Sequence, residues 1–350
     1  MDYKKVRSVG FNKVVKTGSL FVENSRPFCL SSTQKGIFIS DIHSALKNKS
    51  VFKRYFNRLV PQEKDEYTKA CAKNLHSGYF VRAEKGVKAK NIIQTCLYIG
   101  KNRFAQKIHN IIIAEENSEL NILTGCLTDS SVKEASHIGI TEIFVGKNAK
   151  VNFTMVHNWG EKILVRPRTA VKVETGGVFV SNYICLNPVS DLQMFPVCYL
   201  NGKNSSASFN SFIYATCNSK LDLGAKAILN GVGSSAEVLS KIVCDKSEVI
   251  NRGYLVGNVK GIKAHLSCEG LIISKKGKIS AIPELEANLA DLEMTHEAAI
   301  GKVSQEAIEY LQCRGFSEKQ AISMIIKGFL DTSTAHLPEV IQKQLRGFSF

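Results

Sequence analysis

The chain has 350 residues, of which 44% are hydrophobic and 22% charged, so it can bury a sizeable core and is too large for a small disulfide-stapled scaffold. Its ten cysteines include no C-x-x-C pair, which argues against a zinc finger, and cysteines in apolar runs are mostly small core residues. The formal net charge of +15 comes from scattered basic residues without the interleaved aromatic residues of an RNA-binding sheet, so nucleic-acid binding is disfavoured.

No part of the sequence resembles a membrane segment. The apolar runs stay below the roughly 18 residues that a spanning helix requires, and the N-terminal lysines are not followed by the apolar segment of a signal peptide. We therefore expect a cytoplasmic protein that has no membrane partner and whose thiols stay reduced.

Residues 1–79 are predicted to form a small mixed N-terminal region with helical character. The segment 41–59 carries apolar residues at helical spacing up to Pro61, and the segment 62–75 is also typical of a helix. Basic residues cluster in the first of these segments, at Lys47, Lys49, Lys53, Arg54 and Arg58. The sequence indicates no function for this region.

From about Phe80 the sequence changes to short alternating apolar runs separated by turns. The turns recur about every 14 or 15 residues, at Asn204-Ser205, Asn218-Ser219, Gly233-Ser234, Lys246-Ser247, Gly261-Ile262 and Lys276-Gly277. A fixed short period predicts a stacked array in which each rung holds two or three strands of about five residues and pairs in parallel with the rung before it. Crossover handedness then predicts a right-handed parallel β-helix over residues 80–297.

The main alternative to this mainly β solenoid is a β-sandwich, because sandwiches also show turns about every 8 to 12 residues. We favour the solenoid because the period is regular and hairpin turns of the Asn-Gly type are sparse. Asn201-Gly202 is the exception.

Residues 298–350 are predicted to form a C-terminal helical domain built on a hairpin. Ser304 can cap a first helix that ends at Gly315, and Ser317 with Gln320 forms a capping box for a second helix. The second helix is apolar over much of its surface, so the β-helix or another protein must cover part of it.

Five segments of the chain carry a family resemblance. They span residues 156–159 (Val-His-Asn-Trp), 222–226 (Asp-Leu-Gly-Ala-Lys), 295–302, 308–315 and 321–329. These segments resemble the SufB/SufD family of iron–sulfur cluster assembly scaffolds, and the resemblance covers about residues 75 to 330. Segments 174–183 and 282–288 are most similar to those of the archaeal-type minimal scaffolds of the SUF system.

The resemblance implies a scaffold subunit, joined through its last rungs into a homodimer or a SufB/SufD-type heterodimer, that serves iron–sulfur acceptor proteins. It also implies that the helical hairpin docks on a SufC-like ABC ATPase. The chain itself has no P-loop motif, so ATP hydrolysis is expected from the partner and not from this chain. The candidate partner-binding residues are the apolar side chains of the hairpin: Ile308, Leu311, Ile322, Ile325, Ile326 and Phe329.

The resemblance places cluster-assembly ligands at His296 and Glu297. A transient iron–sulfur cluster needs soft sulfur ligands and accepts an imidazole or a carboxylate. Adjacent side chains of a strand point to opposite faces, so both residues reach one iron only at a bend, at a strand end or across a dimer seam. The alternative is a histidine that pairs with its neighbouring carboxylate to stabilise a strand-to-helix corner.

Cys268 is the preferred thiolate ligand, with Glu269 beside it as a further candidate. The alternative for Cys268 is a core cysteine. Lys226 is a candidate for sulfur transfer if it points into the β-helix, and otherwise it is a solvated lysine.

Two other functions remain open on the sequence alone. Alignment on Pro283 puts Gly277 where the bacterial SufB scaffold carries its assembly cysteine, which leaves a SufD-like structural subunit without its own cluster as an alternative. A β-helix carbohydrate-active enzyme is the other alternative, although it would need clustered carboxylates in an exposed groove, and the sequence shows none. The sequence leaves open the cluster type, the sulfur donor and whether a flavin takes part.

Overall fold

The computed structural model describes residues 2–11, 16–185, 187–331 and 342. Within them the helices are α1 (Tyr3–Ser8), α2 (Ile42–Leu46), α3 (Lys49–Tyr55), α4 (Glu66–Lys73), α5 (Gln305–Cys313) and α6 (Glu318–Asp331). The strands are β1 (Gly18–Glu23), β2 (Arg26–Ser32), β3 (Ile37–Asp41), β4 (Tyr79–Ala83), β5 (Ile93–Ile99), β6 (Ala105–Ala114), β7 (Glu119–Thr128), β8 (Ala135–Val145), β9 (Lys150–Asn158), β10 (Ile163–Val173), β11 (Val178–Cys185), β12 (Asp191–Met194), β13 (Val197–Leu200), β14 (Ser206–Ala215), β15 (Lys220–Leu229), β16 (Ser235–Cys244), β17 (Glu248–Gly257), β18 (Lys263–Ile272), β19 (Lys278–Ala287) and β20 (Glu293–Lys302).

The strands form two sheets that face each other across a shared core. Sheet A has the order β2-β1-β5-β7-β9-β11-β14-β16-β18-β20, and sheet B has the order β19-β17-β15-β12-β10-β8-β6-β4-β3, with β13 beside β10 and β15. All pairs among strands β4 to β20 of the described chain are parallel, whereas β4 pairs with β3 in antiparallel orientation, and most successive strands alternate between the two sheets. The molecule is therefore a parallel β-solenoid of about eight turns, as predicted, and the β-sandwich alternative is wrong.

One coil of the solenoid is twice as long as the period read from the sequence. The amide of Asn210 bonds that of Asn182 one coil earlier, 28 residues away, and Asn148 bonds Asn117 at 31 residues. Each step of 14 or 15 residues holds one ten-residue strand, such as β14 or β15, and one corner. The prediction of two or three short strands per rung, paired with the preceding rung, was wrong because each coil has only two long faces.

The corners that lead from sheet B to sheet A explain half of the periodic turn residues, and the corners that lead back to sheet B hold the other half. One residue at each corner from sheet B to sheet A has a positive φ, including Asn148 (53°), Gly176 (64°), Asn204 (54°), Gly233 (72°) and Gly261 (71°). Glycine adopts this conformation without steric cost, and asparagine tolerates it better than most residues do. The recurring Asn and Gly are therefore required by the backbone, and the period in the sequence is the period of the corners.

Inward side chains of both sheets make one apolar core, and helices cover parts of the outer faces. Phe179 and Phe209 pack edge to face in successive coils of this core, with ring centroids 5.7 Å apart. Apolar residues of α1 and α6 pack on the outer face of sheet A, and those of α2, α3 and α4 pack on sheet B. The solenoid thus covers the apolar side of α6, one of the two possibilities that its sequence allowed.

The predicted domain boundaries at residues 79 and 297 remain predictions. Strand β1, within the predicted N-terminal region, pairs in parallel with β5, and β20 continues to Lys302 before α5 begins. Residues 332–341 and 343–350 of the predicted C-terminal domain lie outside the described residues. No described helix is long and apolar enough to cross a membrane.

A buried carboxylate fastens the N-terminal helices to sheet B. Glu142, on the outer face of β8, accepts hydrogen bonds from the backbone N–H groups of residues 57–60 at 2.5–3.2 Å. The ring Nε2 of buried His109 lies 2.8 Å from the same carboxylate, and Phe56 stacks on that ring at 4.4 Å. We call this arrangement the Glu142 clamp. The carboxylate provides a hydrogen-bond acceptor for four backbone N–H groups of a loop that lies outside any helix or strand.

Candidate metal centre at the end of the solenoid

The last strand of sheet A carries the two central candidate ligands. β20 pairs with β18, and no other described strand lies along its opposite edge. Its register sets His296 opposite Leu266, which is a core residue, and Glu297 opposite Ser267. His296 therefore belongs to a column of side chains, one from each coil, that points into the solenoid. Glu297 belongs to a column that points outward. They lie within a strand and not at a strand-to-helix corner, so the corner alternative is not observed.

The second pair of candidate ligands is divided in the same way. Cys268 points inward and is 2% exposed, whereas Glu269 points outward and lies 3.4 Å from the Nζ of Lys241. The structure thus brings His296 and Cys268 to the inner face, and Glu297 and Glu269 to the outer face. Among the described residues no three or more His, Cys, Asp or Glu side chains are grouped closely enough to hold a metal ion.

The thiol of Cys268 lies in an environment that keeps it protonated. Burial raises the pKa of Cys268, and a hydrogen bond with Ser240, in the adjacent strand, lowers it by less. The amide of Asn251 donates to the same Ser240 hydroxyl at 2.6 Å. Metals bind the thiolate, so Cys268 can become a ligand only if its surroundings open.

The final coil is open within the described chain, because no further described coil covers it. Leu285 and Ile300 occupy inward columns, yet they are 37% and 42% exposed. Leu289 and the outward Ile282 add exposed apolar surface to the same end. His296 is exposed for the same reason, although its column is buried in the preceding coils. Clustered exposed apolar side chains indicate a contact surface for another chain.

Glu297 is adjacent to a different histidine from the one beside it in sequence. The Nε2 atom of His265 lies 3.7 Å from Glu297 Oε1, and the hydroxyl of Ser267 donates to the same oxygen at 3.0 Å. The Nδ1 atom of His265 is hydrogen bonded to the hydroxyl of Thr295 at 2.8 Å. His265 is not among the site residues predicted from the sequence, because a period of half the true coil length conceals which residues face each other 30 positions apart.

Lys226 is remote from these residues and does not point into the solenoid. It belongs to an outward column of β15 in sheet B, and its Nζ lies 3.8 Å from the ring centroid of Tyr254. The hydroxyl of Tyr254 in turn bonds the carboxylate of Glu286. An interior lysine is thus excluded, and a role in sulfur transfer stays a prediction.

The helical hairpin turns most of its predicted partner-binding residues toward the molecule itself. Ile326 is buried, and Ile322 and Phe329 pack with it on the outer face of sheet A. Ile308 is also buried, and Leu311 and Ile325 are half-buried. The apolar side chains that the hairpin does expose are Tyr310 (58%) and Met324 (44%).

Comparison with known proteins identifies the family. A family model described as the SufBD core domain of SUF system FeS cluster assembly matches residues 97–329. The chain belongs to the SufBD family. This membership confirms the resemblance seen in the sequence and disfavours a carbohydrate-active enzyme.

Relatives of this SufBD chain come from several archaea. A protein of Archaeoglobus fulgidus named "Iron-sulfur cluster assembly SufBD family protein" is 42% identical over 348 residues, which cover 99% of this chain and 94% of the relative. A Methanothermobacter thermautotrophicus protein of the same name is 40% identical over 92% of this chain and 80% of the relative. A Pyrococcus horikoshii relative is 31% identical over 87% of this chain and 69% of its own length.

His157 and Trp159 of the Val-His-Asn-Trp segment of this SufBD chain point into the solenoid, where His157 and His137 are buried in neutral form. The Nε2 of Gln106 donates to the carbonyls of Asn24 and Tyr98, so its Oε1 accepts from Nδ1 of His137 at 2.9 Å. The Nδ1 of His157 is hydrogen bonded to the hydroxyl of Tyr183 at 2.9 Å. Burial lowers the pKa of His137 to about 3 and that of His157 well below its usual value.

We expect acid to destabilise the SufBD chain through these two histidines. Both bind a proton in the unfolded chain near pH 6.5 and resist it in the folded one, so their contribution is complete above pH 6.5. It is lost as the pH falls toward 3, at about 1.4 kcal/mol per pH unit for each histidine. Urea unfolding between pH 7.5 and 4.5 measures this slope. The double variant His137→Gln/His157→Gln should show a shallower slope, and parallel curves would contradict the assignment.

Proposed function

We propose that this chain is the scaffold subunit of a SUF-type iron–sulfur cluster assembly complex, and that it holds a nascent cluster at the open end of its solenoid. The observation that carries the proposal is the position of His296, which is exposed on the inner face of the last strand. Cys268 lies on the same inner face, one strand away and diagonally offset by two residues. Side chains in that relation are about 7–8 Å apart, within reach of ligands to one small cluster.

A second copy of the chain completes the site in this proposal. One chain presents an imidazole and a buried thiol on its inner face, which is too few ligands for a cluster that prefers four. The edge of β20 that no described strand pairs with lies at the same end of the solenoid as the exposed Leu285, Leu289 and Ile300. An unpaired strand edge with apolar neighbours favours pairing with another chain. A homodimer, or a heterodimer with a related subunit, would bring two such ends together.

A SufC-like ABC ATPase would control the site through the helical hairpin. Tyr310 and Met324 offer it an exposed apolar surface, while Ile326 and Leu330 on the opposite side of α6 contact sheet A. A movement of α6 is thereby transmitted to β16 and to β18, which carries Cys268. ATP binding shifts this equilibrium only as far as the ATPase has different affinities for the two arrangements. In this view the chain is a scaffold in the cytoplasm, and the partner performs the catalysis.

Anaerobic reconstitution with ferrous iron and sulfide tests the proposal on the full-length chain with its ATPase. We expect His296→Ala and Cys268→Ser to lower the cluster content, measured by absorption and Mössbauer spectroscopy, by about tenfold or more, since even outer-shell substitutions cost 10–100-fold in metal affinity. Cys217→Ser, which removes an exposed thiol of a sheet corner, is the matched control and should retain its cluster.

Two results would reject this function. Full cluster content in both His296→Ala and Cys268→Ser would place the cluster elsewhere. No cluster in the unmodified protein, although the ATPase complex forms, would favour the SufD-like alternative of a structural subunit without its own cluster.

A further inference from the structure

A group of exposed basic side chains on the N-terminal helices has no part in the proposed function. It lies between the end of α2 and the loop after α3, and it comprises Lys47, Lys49, Lys53, Arg54 and Arg58. Residues 42–62, all of which the structure describes, include no Asp or Glu. None of the five bases forms an ion pair with a described residue. We call these five residues the basic patch.

The carboxylates next to this segment are engaged by other groups. Asp41, which precedes the segment, accepts from the backbone N–H of Ser44 at 3.0 Å. Glu63, which follows it, pairs with Lys69 at 3.3 Å. Glu142 is occupied by the clamp. The five positive charges of the basic patch are therefore not compensated by these acids.

The position of the charges is unfavourable for α3 itself. Lys49 lies in the first turn, where the helix dipole disfavours a cation. It is also four residues from Lys53, and like charges at that spacing repel each other. An anionic partner relieves both effects when it binds, so the charges favour a partner of opposite sign.

One aromatic ring is exposed among these cations. Phe52 is 49% exposed, and its spacing in α3 puts it on the same face as Lys49 and Lys53. Its ring stacks on Phe56, with centroids 5.4 Å apart, and Phe56 stacks on buried His109 at 4.4 Å. The exposed ring is thus held by a column of rings that reaches into the protein.

The rest of the segment is also fixed before any partner binds. Val51 is buried, and Tyr55 packs edge to face on Phe144 with centroids 4.9 Å apart. The Glu142 clamp holds residues 57–60, directly after α3. A surface that is already ordered loses little conformational entropy on association, which favours affinity.

These features suit an acidic protein segment better than a membrane or a nucleic acid. A membrane-binding helix buries a broad apolar face, whereas Val51 and Tyr55 of α3 pack on the solenoid. Single-stranded nucleic acids stack their bases on several aromatic rings, and Phe52 is the one exposed large apolar side chain of residues 42–62. Arginines and a fixed aromatic ring are typical of the residues that dominate the energetics of protein interfaces.

We propose that the basic patch, with Phe52 among its cations, is a docking surface for an acidic segment of a partner protein. Carboxylates of the partner pair with the bases, and an apolar side chain of the partner covers Phe52. The surface is distinct from the candidate cluster site. Strand β8, which carries the Glu142 clamp, lies five strands from β19 at the open end, about 24 Å away at the usual strand spacing. The proposal therefore does not depend on the proposed function.

Fluorescence anisotropy tests this surface on the full-length chain, with a fluorescein-labelled peptide of glutamates around one central leucine as the probe. We expect saturable binding that weakens as the salt concentration rises, because salt screens the ionic contacts. Lys49→Glu/Lys53→Glu turns two attractions into repulsions and should weaken binding by about tenfold or more. Phe52→Ala keeps all five charges and should weaken binding by several-fold, because the apolar contact is lost.

The matched control is Lys275→Glu/Lys276→Glu, which changes the net charge equally at the exposed corner between β18 and β19 and should leave binding unchanged. Equal weakening in the two double variants would show that binding depends only on net charge, and would overturn the docking surface. Unchanged binding in Lys49→Glu/Lys53→Glu, with circular dichroism showing a folded protein, would overturn it as well. Tighter binding of polyuridylate or of vesicles rich in phosphatidylserine, lost in the same variant, would overturn the protein partner and assign the basic patch to a nucleic acid or to a membrane.

Discussion

Glu142→Ala lowers the free energy of unfolding by about 3–5 kcal/mol, the range found when one partner of a buried charged network is removed. The substitution leaves the backbone donors of residues 57–60 without the acceptor that now holds all four of them. Water can replace the lost carboxylate as acceptor for the half-exposed N–H groups, but not for the buried N–H of Val60. Each buried donor left without an acceptor costs about 1–3 kcal/mol. Urea unfolding followed by circular dichroism measures the loss.

Two further variants define the cause of this loss. Glu142→Gln keeps an acceptor oxygen in the clamp and should lose less stability than the alanine variant. Glu116→Ala removes an exposed carboxylate that pairs with Lys85 at 2.7 Å, and should show no measurable loss. Because the clamp fixes a local segment, trypsin should cleave after Arg58 faster in Glu142→Ala than in the parent chain. Equal stability and equal cleavage would show that the clamp contributes little.

Lys241→Met should release α6 from sheet A and lower stability by about 2–4 kcal/mol. Lys241 is only 5% exposed, yet its Nζ donates to the backbone carbonyl of Phe329 at 3.1 Å and lies 3.4 Å from the Glu269 carboxylate. The ammonium also lies 5.3 Å from the centroid of the Phe329 ring. Methionine preserves the apolar stem but removes the charge and the donor, so Glu269 loses its compensating cation.

The measurement that distinguishes release of α6 from general destabilisation is local. Hydrogen exchange of residues 318–331 should accelerate more than that of the central coils, and Cys268, next to Glu269, should react faster with an alkylating reagent. Lys278→Met, which removes an exposed lysine paired with Glu248 at 2.9 Å, is the matched control. Uniform acceleration along the whole chain would contradict a specific anchoring role for Lys241.

The residues at the corners made the stacked fold predictable from the sequence. The number of strands in each coil was not predictable in this way. Positive φ at positions such as Asn204 and Gly233 limits the residues that can occupy them, so the corners are visible in the sequence. The length of a strand produces no comparable residue pattern in the sequence. β15 alternates between the two faces over ten residues without interruption, and a reading of local pattern cannot tell one long strand from two short ones.

The candidate site was predictable only in part, because its contacts depend on which coils are neighbours. The alternation rule predicted opposite faces for His296 and Glu297, and the register confirms this. It could not reveal that Glu297 lies beside His265, since that pairing requires the true coil length. It could not reveal either that Glu269 is engaged by Lys241, because α6 helps to hold that lysine from a distant part of the sequence.

The open last coil places the candidate ligands at the end where the solenoid frays most easily. An inner coil is held by neighbours on both sides, whereas β19 and β20 are each hydrogen bonded to one described strand only. In a linear array, the free energy needed to detach a terminal unit is that of a single junction. Under the proposed function, the terminal strands would therefore rearrange around a nascent cluster while the coils behind them stay folded, and docking of a second chain would then close that end.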